Sequence, residues 1–126
     1  MTNLNQNVLD GVWHHLAVVW EAAVNKWWLR IDGEFKGAEV YSQWLSIHIP
    51  EGDLIIGQNL NPANTFMDSF VGKITSFNMW NYKWEESAIV SLAESCGTQP
   101  GNVFQWHNIR KNLHGEVKVE HPSSCM

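Results

Sequence analysis

The chain has 126 residues, room for one domain with its own core but close to the lower limit for a β-sandwich. It is 44% hydrophobic and 17% charged, the balance of a globular rather than a disordered sequence. A formal charge of −5 without any Lys/Arg run argues against nucleic acid, and no apolar run nears the roughly 18 residues of a bilayer span.

Met1 leads into the polar "TNLNQN", with neither the basic nor the apolar region of a signal peptide, so a mature form, a fragment and a cytosolic product are all open readings. The segment "WHHLAVVW" (13–20) then predicts a strand, and "EAAVNK" interrupts it. "WWLRI" and "EFKG" flank Asp32-Gly33, the strongest short signal for a hairpin, because a type I′ turn needs positive φ at both central residues. Further strands are expected in "DLIIGQ" (53–58), in "FVGKITSFNMWNY" (70–82, with a break at Gly72), in "NVFQW" and in "EVKVE". "EESAIVSLAE" (85–94) differs. It sets Ile89, Leu92 and Ala93 on one helical face and acidic residues at its start, so it predicts a short helix. Many short strands and one helix point to an all-β sandwich.

The chemistry-bearing residues are sparse. No nucleophile elbow, zinc-protease helix, P-loop or dinucleotide fingerprint occurs, and the expectation is that the chain is not an enzyme. His14 and His15 are adjacent, so on a strand they point to opposite faces and cannot ligate one metal. Trp13, Trp20, Trp80 and Trp106 lie in apolar strand segments, where burial is the default. Trp27 and Trp28 must split across a strand. Trp28 would then share the outward face with Arg30, a pairing typical of interface hot spots unless a loop folds back over it. Trp44 and Trp84 are weaker candidates of the same kind. In the loop "GQNLNPANTFMDS" (57–69), Asn59, Asn61, Asn64 and Asp68 offer the hard oxygens calcium prefers, but only one of them is charged. An ordinary polar loop is the competing reading.

Two cysteines occur, Cys96 and Cys125. A bridge between them would close a loop of about 30 residues and contribute about 3 kcal/mol through the unfolded state. Two free thiols in a cytosolic domain are the alternative.

The ordered set "GVWHHLAVVW", "LRIDGEFKG", "IIGQNLN", "FVGKITSFNMWNY", "GNVFQW" and "HGEVKVE" resembles a pentraxin domain, from about Gly11 to the C-terminus. The resemblance implies a concanavalin-like jelly-roll β-sandwich of antiparallel sheets with one short helix. It further implies that residues 1–126 form a single pentraxin-like domain, incomplete on its N-terminal side and therefore prone to self-association through an exposed strand edge. Family members carry a cysteine where Ala17 stands, paired upstream. Their calcium ligands in this half would fall on Asn59, Leu60 and Asn61, and on Thr65 and Asp68, a degenerate set here. Cys96 and Cys125 look like the bridge of neuronal pentraxins and of pentraxin domains in adhesion-type receptors.

The resulting expectation is a non-enzymatic, extracellular recognition or adhesion module. It would contact a protein ligand or cell-surface partner as part of a larger secreted or membrane protein, without inserting into the membrane itself. No cofactor is expected. A soluble lectin binding its ligand through calcium, held by Asn59, Asn61 and Asp68, is the second reading. A truncated isoform without independent function is the third.

Overall fold

The structure is a computed structural model, and it describes residues 8–40, 54–96, 99–109 and 111–123. Three strands carry the main sheet: β1 (Leu16–Glu21), β2 (Lys26–Ile31) and β3 (Glu34–Val40), antiparallel in the order β1-β2-β3. The link between β1 and β2 is a single 3-10 turn, Ala22–Val24, closed by Asn25 in the left-handed region. This is the segment the sequence marks as an interruption. The β2–β3 link is the expected tight turn, with Asp32 at φ 53 and Gly33 at φ 80. Leu29 pairs with Gly37 and Arg30 with Phe35, so β3 carries a one-residue bulge at Lys36 opposite β2.

The predicted helix is present as α1 (Glu86–Ser95), and it ends where Cys96 turns left-handed. Ile89 and Ile31 are each 6% exposed and are the buried hydrophobic residues among those described. Val90 and Ala93 lie against the hairpin turn, 3.5 and 3.6 Å from where a Cβ on Gly33 would sit. Helix and turn therefore touch at a position that a larger residue would crowd.

Beyond the main sheet the structure departs from the expected strands. Residues 54–58, 70–78, 102–103 and 116–120 form no ladder among the described residues, and residues 106–109 form a short helix, α2 (Trp106–Ile109). "DLIIGQ", "FVGKITSFNMWNY", "NVFQW" and "EVKVE" have strand-like patterning, but a strand exists only where a neighbour supplies the ladder. What joins 70–82 to 102–106 is one antiparallel bridge, Met79 to Phe104. Asparagine side chains complete the connection. Asn78 Oδ1 accepts from the backbone of Gly101 (3.1 Å) and Trp106 (3.2 Å). Asn102 Nδ2 donates to Asn81 Oδ1 at 2.7 Å. Gly101 is obligatory here, since a Cβ would lie 2.0 Å from the Phe104 carbonyl.

An unexpected second hairpin joins β4 (Asn59–Leu60) to β5 (Phe66–Met67) within the polar loop. The described chain is thus mainly antiparallel strands in two sheets with one ten-residue helix, the all-β class expected from the sequence.

Candidate functional site

Alternation gives the main sheet two unlike faces. Ala17, Val19, Trp28 and Arg30 share one face, and Trp84, Lys83, Glu86 and Ile89 lie over it around a small cavity of about 30 Å³. The outward pair of the sequence analysis is therefore covered from within the chain. Arg30 donates to the Gly33 carbonyl at 2.9 Å and pairs with Glu86 at 3.0 Å. The Trp28 ring carries Lys83 at 4.7 Å and Lys26 at 5.2 Å. Trp84 packs against Trp80 with centroids 4.9 Å apart and ring planes tilted by 59°. Its indole N–H is buried with no hydrogen-bond partner among the described residues. Trp44 lies outside the described residues.

The opposite face is open along its edge strand. Leu16, Val18 and Trp20 are 58%, 68% and 47% exposed, beside the half-buried Leu29 and Trp27 of β2. This corrects the expectation that Trp13 and Trp20 are buried, because among the described residues no layer covers that side of β1. Periodicity tells which residues share a face. It does not tell which face receives the helix.

The loop considered for calcium is organised as a hairpin turn. Asn61 Oδ1 accepts from the backbone N–H of Ala63 (3.0 Å) and of Thr65 (2.9 Å), so both its lone-pair directions hold the turn. Asn64 and Asp68 sit at positive φ, and Gln58 reaches Ser69 at 2.9 Å. Asn59 and Asp68 then offer one amide and one carboxylate, which fits a calcium ion poorly. Among the described residues no group of three His, Cys, Asp or Glu side chains is placed to hold a metal. Cys125, the expected partner of Cys96, lies outside the described residues.

One constellation escaped the sequence reading. His14 does separate from His15, yet it is not idle. Its Nδ1 lies 2.7 Å from Asp32 Oδ2 and its Nε2 3.0 Å from Asp10 Oδ1. Asp32 also accepts the His15 backbone N–H at 2.8 Å. Hydrogen bonds to Asp32 and then Asp10 raise the His14 pKa, and the same bonds hold both carboxyls below their ordinary range. Burial pushes His15 the other way. The available signal was an Asp four residues before a His, together with an Asp in the facing turn.

Comparison with known proteins agrees with this architecture. The Pentaxin family matches residues 2–121. The chain belongs to the pentraxin family. Its fold class is therefore the concanavalin-like jelly roll that the resemblance implied. Relatives include the rat protein "Sushi, von Willebrand factor type A, EGF and pentraxin domain-containing protein 1", 34% identical over 93% of this chain and 3% of the relative. Human neuronal pentraxin-2 is 35% identical over 94% of the chain and 28% of its own length. The rat neuronal pentraxin receptor is 30% identical over 94% of the chain and 24% of its own length. The chain thus spans a small part of each. Among solved structures, an S-layer domain-containing protein from Clostridium thermocellum superposes with TM-score 0.53 at 25% identity, over 70% of this chain and 42% of that one.

Proposed function

We propose that this pentraxin chain is a non-enzymatic recognition module that works by protein–protein contact in an extracellular or cell-surface setting. The observation that carries the reading is the unlike pair of sheet faces. One is occupied by the chain's own helix and aromatic–cation contacts, while the other presents Leu16, Val18 and Trp20 as a contiguous apolar strip. Exposed apolar strips of this kind are where proteins meet partners, a second copy included. Trp28 and Arg30 would contribute to contact by keeping the opposite face in shape, and a Cys96–Cys125 bridge suits the extracellular setting.

The test compares Val18→Glu with Trp28→Ser for retention of the tagged chain on cells, read by flow cytometry beside thermal stability. Val18→Glu should lose retention and keep its stability, whereas Trp28→Ser should lose stability first. Undiminished retention of a stable Val18→Glu chain would remove the open face from the reading. Calorimetric titration with calcium addresses the lectin alternative, for which micromolar binding at the Asn59–Asp68 loop would be required.

A further inference from the structure

We propose that Asp10, His14 and Asp32 form a protonation-controlled latch, which fastens the segment leading into β1 to the β2–β3 turn and lets it go as His14 loses its proton. Both ring nitrogens face carboxylate oxygens, at 2.7 and 3.0 Å, and an ionised carboxylate only accepts. A neutral imidazole has one N–H. It can satisfy one carboxylate while turning a lone pair on the other, so the bridge as built requires the imidazolium.

The groups that act on His14 are Asp10 on its own segment and Asp32 on the turn, with His15 acting on Asp32 from the next position. Neighbouring charges are engaged elsewhere: Glu34 with Lys36, and Arg30 with Glu86 and the Gly33 carbonyl. The His14 side chain is 16% exposed, so water reaches it when the bond to either carboxylate fails. The latch also fixes backbone. Asp10 Oδ1 takes the Val12 N–H at 3.2 Å and Asp32 Oδ1 the His15 N–H at 2.8 Å, so opening would release two amides at the start of the edge strand.

The direction follows from linkage. The His14 pKa is raised in the folded chain, so the latch's contribution is complete below about 6.5 and is lost as pH rises through the raised value. The Asp10 and Asp32 values are lowered, so their contribution is present above about 3.9 and is lost as pH falls through the lowered values. His15 runs against His14. Its lowered pKa disfavours the folded state as pH falls below about 6.5, which separates the two histidines in any titration.

The experiment is an NMR pH titration of the histidine rings in the full chain, with hydrogen exchange of the Val12 and His15 amides corrected for intrinsic rate. His14 should titrate above His15 and above about 6.5. Between that value and its own pKa, amide protection should fall by up to about tenfold per pH unit. Asp10→Asn supplies an amide N–H that can face the neutral ring, so this variant should keep the His15 amide, which Asp32 holds, protected at high pH and flatten its dependence. His14 titrating at or below His15, or amide protection unchanged through the His14 titration, would overturn the latch. So would a pH dependence in Asp10→Asn equal to that of the unaltered chain.

Discussion

Two hairpins in this chain use the same local chemistry and end up with different standing. The β2–β3 hairpin turns at Asp32-Gly33, and the β4–β5 hairpin turns around Asn61 and Asn64, each with short polar residues in left-handed conformation. The first is locked by what lies on it. Arg30 is tied to the turn and to helix α1, and Gly33 abuts Val90 and Ala93, while Ile31 is buried on the other face beside Leu16. The second has four exposed strand residues and rests on backbone bonds and one asparagine. A good turn nucleates a hairpin, but side-chain burial makes it a scaffold. The face that the helix covers is accordingly the better anchored one, and the strip on β1 is the side to which the proposed contact is assigned.

That comparison can be broken by substitution. Ile89→Ala removes the helix residue buried on the main sheet and should cost about 2–5 kcal/mol in urea unfolding, the largest effect of the set. Gly101→Ala should follow at about 1–3 kcal/mol, because its Cβ would meet the carbonyls of Phe104 and Met79 and open the bridge between them. Asn61→Ala should cost about 1 kcal/mol, since two N–H groups lose their acceptor at a site open to water. Its signature is local, with faster exchange at Ala63 and Thr65 and little change in the main sheet. If Asn61→Ala proved as damaging as Ile89→Ala, the two hairpins would not differ in the way described.

Much of the main sheet could be read in advance. The Asp-Gly turn, the interruption at 22–25 and the helix at 86–95 all follow from local rules, because turn chemistry and 3.6-residue periodicity are properties of short segments. The strands expected from 54 onward did not follow. "EVKVE" alternates cleanly, yet alternation states only that a segment could lie on a sheet, and no described neighbour pairs with it. The site residues divide in the same way. The splitting of His14 from His15 was foreseeable from strand geometry. The Asp10–His14–Asp32 bridge was not, since Asp32 is 18 positions away and reaches His14 only once the hairpin has formed.

The sequence by itself determined the family and the class of fold, through the ordered motifs and the Asp-Gly turn. It also determined which residues share a face, because Cβ direction alternates by one rule along every strand. Tertiary structure decided which of those faces is covered. The helix and the 83–86 segment settled on Trp28 and Arg30, where Lys83 and Glu86 find an aromatic ring and a guanidinium, and left Val18 and Trp20 to water. That choice depends on long-range burial and charge pairing, which no local pattern encodes.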